Sequence, residues 1–155
     1  MTARFSDRDM AGKGAATIAW ARRGMPLLDV TEARLVGSGA LKGLRVGISL
    51  VLEPKTANLA LALRNAGATV TVTASAGSIA DASVIPALEA EGIAVFATPD
   101  GSSDEDLRQT RAFLATAPQI LIDDGAQVTR LAHKECPDLV AQMIGATSAP
   151  ALMPM

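Results

Sequence analysis

Apolar and polar positions along the chain follow two alternating patterns. Short apolar runs at 44–50, 69–73, 93–97 and 119–122 have the length and, in part, the β-branched content of buried strands. A fifth run lies at 144–147. The segments between them carry apolar residues at helical spacing. Strands that alternate with helices predict an α/β fold, with a Rossmann-like or flavodoxin-like parallel sheet of four to five strands and helices on both faces.

The ends of the chain differ from its centre. The first residues are polar and helical spacing starts at Gly14, so residues 1–13 are expected to form a loose N-terminal segment. Two helices then precede the first strand, and Pro26 suits the first turn of the second helix. We expect a single α/β domain over 14–147, followed by a tail over 148–155.

Two of the later helices have clear end signals. The helix over 54–66 is followed by Gly67 in the C-terminal stop position. Ser102 and Glu105 have capping-box spacing, which predicts a helix that starts there and reaches about Ala115.

Composition indicates a globular protein and excludes several functions. The chain has 155 residues, of which 49% are hydrophobic and 19% charged, enough to bury a core. A net charge of −2 with scattered Lys and Arg, and only three Phe and one Trp, argue against nucleic-acid binding. Without a long apolar run or a signal stretch, we expect no membrane association. The single cysteine, Cys136, favours the cytoplasm.

Three further motifs have structural interpretations. The glycine-rich run at 37–43 follows a helix and precedes a strand, the reverse of a phosphate-binding loop. His133 and Cys136 are the only close His/Cys pair, and a structural zinc site needs two more ligands, so no metal is expected. Trp20 is expected to be a packing residue.

Polar residues follow the first and fourth predicted strands. Glu53, Lys55 and Thr56 follow the first strand, and Asp123 and Asp124 follow the fourth. Ligands of open parallel sheets bind beyond the carboxyl ends of the strands, and carboxylates accept hydrogen bonds from a sugar diol. The alternative is local, because Asp favours helix N-caps and Glu is favourable at a helix N-terminus. From spacing alone, capping is the favoured interpretation.

Several motifs, in one register from Trp20 to Gly145, resemble S-adenosylhomocysteine hydrolase. They are WA at 20–21, MPLL at 25–28, LKGLRVG at 41–47, LEPKTA at 52–57, AGATV at 66–70 and ILIDDG at 120–125. The resemblance covers only the amino-terminal part of the family's substrate-binding domain. It implies adenosine or S-adenosylhomocysteine as the ligand.

The resemblance also implies which residues contact the ligand. Asp124 would lie near the reacting ribose, with Glu53, Thr56, Lys55 and Asp123 as further substrate-binding positions. In the family, a tightly held NAD oxidises the 3′-hydroxyl of the sugar before homocysteine is eliminated and water adds. The NAD domain has no counterpart here, so no cofactor is expected in this chain.

Several positions depart from the family's pattern. Val51 replaces a histidine, and the Asp-Asp-Gly-Gly-Asp turn continues with Ala126 and Gln127. The family's Ser-Thr-Gln-Asp stretch is replaced over 79–82, and its Glu-Glu-Thr-Thr-Thr-Gly loop does not follow Gly145. These departures put catalysis in doubt and predict a truncated or degenerate adenosylhomocysteinase-like protein that does not turn over substrate alone.

Three alternatives stay open at this level. The chain could be half of a split NAD-dependent hydrolase completed by another chain. It could be an interaction module that pairs with itself or with a full-length hydrolase, since the family is oligomeric and a half-domain would expose apolar surface. It could also be a gene fragment without a selected function.

Overall fold

A computed structural model describes residues 7–75, 80–99 and 103–149 of the chain. They form an all-parallel sheet of five strands with seven helices. In chain order the elements are α1 (Asp7–Arg22), α2 (Pro26–Ser38), β1 (Arg45–Leu50), α3 (Pro54–Asn65), β2 (Thr69–Ala74), α4 (Val84–Ala90), β3 (Ala94–Phe96), α5 (Ser103–Ala115), β4 (Ile120–Asp124), α6 (Gln127–Glu135), α7 (Pro137–Gln142) and β5 (Gly145–Ala149). The predicted α/β fold with a parallel sheet is confirmed.

The order of the strands in the sheet is β3-β2-β1-β4-β5. From β1 the chain moves outward through α3 to β2 and through α4 to β3. Helix α5 then carries the chain back past β1 to β4, and α6 and α7 lead on to β5. Because parallel crossovers are right-handed, this reversal places α3 and α4 on one face and α5 and α6 on the other. The direction of winding therefore changes between β1 and β4.

Each face of the sheet has its own apolar core. The larger core lies under α1, α3 and α4 and includes Ile48, Val72 and Leu88, none of which is accessible to solvent. The smaller core joins α5 and α6 to β4 through Phe113, Leu121 and Val128 and others. Burying a side chain of this size stabilises the fold by about 1.5–3 kcal/mol.

Local sequence explains where α3 begins and ends. Pro54 occupies the first helical position, where its missing N–H costs nothing. Gly67 has a φ of 98°, a left-handed conformation that ends the helix and turns the chain into β2. Both ends agree with the prediction from sequence to within a residue.

Three boundaries differ from the predictions. Helix α1 begins at Asp7 rather than Gly14, so residues 7–13 of the predicted loose segment belong to this helix. The helix packs against α3 and α4. Strand β4 continues through Asp124 instead of ending at Ile122. Strand β5 runs to Ala149, into the predicted tail. The proposed cap residue Ser102 lies outside the described residues.

Trp20 is not the packing residue that the sequence analysis predicted. Its side chain is 73% exposed, whereas Ile18, two positions earlier in α1, is buried. Two residues correspond to about 200° around a helix, which places the indole on the opposite side from the core.

Within the described ranges, no helix has the length and apolar character needed to cross a membrane.

Candidate functional site

The carboxyl ends of β1 and β4 meet at the point where the winding of the sheet reverses. These two strands are hydrogen-bonded neighbours, and their register ends with Ser49 opposite Asp123. Beyond that pair the chain leaves β1 toward α3 on one face and leaves β4 toward α6 on the other. Such a divergence opens a crevice, which is where open α/β sheets bind ligands. Both sets of residues predicted from sequence lie at or just beyond the ends of these two strands.

Asp123 is a buried carboxylate with one satisfied and one unsatisfied oxygen. Its side chain is 1% exposed, and its Oδ2 accepts hydrogen bonds from the backbone N–H and the hydroxyl of Thr129, both at 2.8 Å. Because Thr129 is the third residue of α6, Asp123 satisfies a helix N-terminal N–H from outside the N-cap position. Its Oδ1 is buried and has no hydrogen-bond partner in the described part of the chain.

The capping interpretation therefore holds for one oxygen of Asp123, although the residue is in a strand. The N-cap position itself is Ala126, in a left-handed conformation with φ 57° and ψ 24°. An unsatisfied buried carboxylate oxygen costs about 1–3 kcal/mol or more, so Oδ1 is a destabilising polar group within the described part of the fold.

Asp124 is the last residue of β4 and is partly buried. Successive strand residues point to opposite faces, so the two carboxylates diverge. Among the described residues, the Asp124 side chain has no hydrogen bond or ion pair. It is thus a carboxylate at the switch point that is not used by the fold.

The residues after β1 divide into one that closes the turn and two that face solvent. The Thr56 hydroxyl donates to the Val51 carbonyl at 2.6 Å, which ties the first turn of α3 to the end of β1. Glu53 is the N-cap residue, and its side chain makes no capping hydrogen bond. Its carboxylate lies 4.0 Å from the Lys55 ammonium, with the two side chains 45% and 71% exposed. Glu53 and Lys55 are therefore available to a ligand, and the Thr56 hydroxyl proton is already used.

Asp81 connects the β1 turn to the start of α4. Its backbone N–H donates to the Leu52 carbonyl at 2.9 Å, and its Oδ1 accepts from the N–H and hydroxyl of Ser83 at 2.9 and 2.7 Å. Burial acts to raise the pKa of Asp81, but hydrogen bonds from Ser83 and from the Val84 N–H outweigh it and hold this pKa below its usual range. Asp81 therefore stabilises the edge of the site in its ionised form.

A groove beside Lys55 was missed by the sequence analysis. It has a volume of about 450 Å³ and is lined by Trp20, Arg23, Met25 and Lys55 among others. It lies where α1 turns into α2, next to the first turn of α3. The signal in the sequence was the spacing of Ile18 and Trp20. Two apolar residues two positions apart in a helix lie on opposite sides of it, so both cannot face the same core.

The described βα turns do not fit a dinucleotide. A pyrophosphate binds at a helix N-terminus through backbone N–H groups in a glycine-rich turn. After β1 that position holds the carboxylate of Glu53 and the Pro54 ring, which lacks an N–H. After β4 it follows two carboxylates, Asp123 and Asp124. Negative charge at both helix starts opposes a pyrophosphate, so these turns are not suited to hold the pyrophosphate of NAD.

Metal binding has no structural support in the described residues. No group of three or more His, Cys, Asp or Glu side chains there could hold a metal ion. Cys136 is a free, partly buried cysteine between α6 and α7. His133, in the last turn of α6, contributes to a largely apolar cavity of about 190 Å³.

Comparison with known proteins identifies relatives of this chain. The chain matches the family model for S-adenosyl-L-homocysteine hydrolase over residues 3–150. It is 37% identical over 141 residues to the S-inosyl-L-homocysteine hydrolase of Methanopyrus kandleri, across 91% of this chain and 33% of the relative. It is 34% identical over 134 residues to the adenosylhomocysteinase of Thermoplasma acidophilum, across 86% of this chain and 33% of that relative.

A third relative gives the same coverage. The chain is 35% identical over 141 residues to the adenosylhomocysteinase of Pyrococcus abyssi, across 91% of this chain and 33% of the relative. The chain thus spans about a third of the length of the curated relatives it matches. The family match extends over nearly all of the chain, from before α1 to the end of β5. The chain belongs to the S-adenosyl-L-homocysteine hydrolase family.

Proposed function

We propose that this chain binds a purine nucleoside, free or as its homocysteine thioether, in the crevice between the carboxyl ends of β1 and β4. It does so without completing hydrolysis alone. The observation that carries the proposal is the Asp124 carboxylate, which ends β4 at the switch point and has no partner among the described residues. The names of the relatives, adenosylhomocysteinase and S-inosyl-L-homocysteine hydrolase, supply the ligand class.

The chemistry of the crevice suits a sugar diol. A ribose presents two adjacent hydroxyls, and ionised carboxylates accept such hydrogen bonds strongly. Among the described residues, the Oδ1 of Asp123 also lacks a donor, but it is buried and points away from Asp124, so we do not assign it to the sugar. On the β1 side, Lys55 and Glu53 offer exposed charges of both signs, which match the ammonium and carboxylate of a homocysteine moiety.

We do not assign independent catalysis to this chain. The relatives are about three times as long as this chain, and whatever their remaining two-thirds contributes is not supplied by these residues. The histidine that the resemblance places near the site is Val51 here, a side chain without a proton to exchange. The described turns, moreover, oppose a pyrophosphate. Proton transfer and redox chemistry would both need groups from elsewhere.

Calorimetric titration with adenosine and with inosine tests the proposal. We expect saturable binding that weakens by about 10- to 100-fold in Asp124→Asn, which keeps the shape and removes the charge. Asp138→Asn is the matched control, because Asp138 is exposed in the first turn of α7, away from the carboxyl edge of the sheet. Absence of heat up to the solubility limit of both nucleosides would refute nucleoside binding. Equal losses in both variants would refute the role of Asp124.

A split hydrolase is the second candidate, because the chain matches one third of each relative in a single run. In that case the remaining two-thirds would come from a second polypeptide that also carries the cofactor. Mixing this chain with the rest of the Methanopyrus kandleri relative, NAD and S-inosylhomocysteine should then release homocysteine, detected as a free thiol. No thiol release from a mixture that forms a complex would exclude this arrangement.

A further inference from the structure

A groove lies between α1 and the helices α3 and α4, and the residues that line it are separate from those of the crevice between β1 and β4. Its volume is about 350 Å³, within the range of small-molecule sites. The apolar part of its lining consists of Ile18, Leu61 and Ala87 together with Ala15 and Ala19. Ala15 and Ala19 lie one turn apart on α1, and both are exposed. Because these two side chains end at Cβ, they leave open the space that we call the α1–α3 groove.

The side chain of Asn58 presents a hydrogen-bond acceptor to this groove. Asn58 is 3% exposed, and its amide nitrogen donates to the backbone carbonyls of Ile18 and Pro54 at 2.8 and 2.9 Å. Both amide hydrogens are therefore used, while Oδ1 accepts no hydrogen bond within the described ranges. The side-chain atoms that are both unsatisfied and sealed from solvent there are Thr98 Oγ1 and Asp123 Oδ1, so the Asn58 oxygen has access to the groove. A nearly buried amide oxygen without a donor is stabilised by a ligand that brings one.

The charged side chains around the α1–α3 groove are paired within the protein. Arg22 donates hydrogen bonds to Glu32 and, at 2.6 Å, to Asp29. Arg64 donates to the carboxylate of Glu91 at 2.8 Å. A charged ligand would gain an ion pair here only by breaking one of these, whereas a neutral ligand binds without that loss. The groove therefore favours an uncharged molecule.

We propose that the α1–α3 groove binds a neutral aromatic molecule whose N–H or O–H group donates a hydrogen bond to Oδ1 of Asn58. The aromatic body lies between the helices against Ile18, Leu61 and Ala87, where its apolar surface is removed from water. Since Asn58 is nearly buried, the donor is at the inner end of the ligand. A flat ring with a donor in its plane meets both conditions in a space bounded by helices. This site is separate from the nucleoside crevice and does not depend on the proposed function.

Indole and benzofuran are matched probes for the donor, because they share one ring shape and differ in that an ether oxygen replaces the N–H group. In two-dimensional amide NMR spectra, we expect indole to shift the side-chain amide signals of Asn58 and the backbone signals of Ile18 and Ala87, with a dissociation constant of about 1 mM. Benzofuran should bind at least about fivefold more weakly, because its oxygen would face the oxygen of Asn58. Equal affinities would overturn recognition by Asn58. An absence of shifts up to the solubility limit of indole would mean that the groove holds water only, and would overturn the site.

Filling the groove from α1 tests its position. Ala19→Leu and Ala15→Leu each place a larger side chain in the groove from an exposed helix position, where leucine is a good helix former, so both variants should fold. Each should weaken indole binding by about tenfold or more and leave adenosine binding in the crevice as it is in the parent chain. Ala16→Leu is the matched control, because it makes the same change at an exposed position of α1 outside the groove and should bind indole like the parent chain. Unchanged indole binding in both filled variants, or an equal loss in Ala16→Leu, would assign the binding to another surface and overturn the proposal.

Discussion

The left-handed residue at the start of α6 makes a quantitative prediction about stability. Ala126 has a φ of 57°, a conformation that costs an L-residue with a Cβ about 1–2 kcal/mol. Glycine adopts it without that cost, although the unfolded chain gains entropy that opposes about 0.5–1 kcal/mol of the benefit. We therefore expect Ala126→Gly to raise the free energy of unfolding by about 0.5–1 kcal/mol. The family has glycine at this position, so the variant restores its pattern.

Urea unfolding measured by circular dichroism tests this value, provided that the slope of the transition is unchanged. The control is Ala33→Gly, the same substitution at an exposed position inside α2, where negative φ makes glycine about 1 kcal/mol less favourable. Opposite signs for the two variants are the expected result. Ala117, with a φ of 53°, should respond like Ala126. If Ala126→Gly destabilises as much as Ala33→Gly, the left-handed conformation is not the source of strain and the reasoning fails.

Two further predictions concern packing and pH. Gly14→Ala should lower the free energy of unfolding, measured in urea, by about 1–3 kcal/mol, because the new Cβ would lie 2.0 Å from the Ser83 carbonyl oxygen. Gly12→Ala, in the same helix, places its Cβ in open space and should not destabilise the fold. Equal effects of the two substitutions would refute close packing of α1 against α4. Since its pKa is depressed, Asp81 contributes stability that is present above about pH 4 and lost as pH falls through its folded pKa. Asp81→Asn should therefore show a smaller loss of unfolding free energy between pH 7 and pH 3 than the parent chain, and parallel losses would contradict this role.

The sequence predicted the ends of helices correctly where local backbone signals determine them. The start of α3 at Pro54 and the turn at Gly67 are determined by backbone chemistry, and both were predicted. The start of α1 was not, because its alanine- and glycine-rich sequence has little apolar periodicity and its position depends on contacts with α3 and α4. Propensity cannot reveal a boundary that packing decides.

For the candidate site too, some features could be predicted from the sequence and others could not. The strand-end positions of Asp123 and Asp124 followed from the order of elements, since carboxyl ends of parallel strands share one edge. The sequence analysis did not predict that the side chains of Asp123 and Asp124 point to opposite faces. It ended β4 at Ile122, two residues too early, and side-chain direction alternates only within a strand. The exposure of Trp20 was not predicted, because its aromatic side chain suggested burial although its position around the helix, opposite Ile18, indicated exposure. An aromatic residue predicts burial less reliably than its angular position does.

The central position of β1 has a consequence for how the chain folds as it is made. Its partner on one side is β2, close in sequence, but on the other side it is β4, with Arg45 and Gln119 separated by 74 residues. At about 5–20 residues per second, several seconds pass between the synthesis of these two strands. During that time β1 is an apolar strand with one open edge, and only the α5 crossover delivers the strand that closes it. Newly made chains should therefore depend on chaperones, or on slow synthesis near α5, more than the small size of the domain suggests.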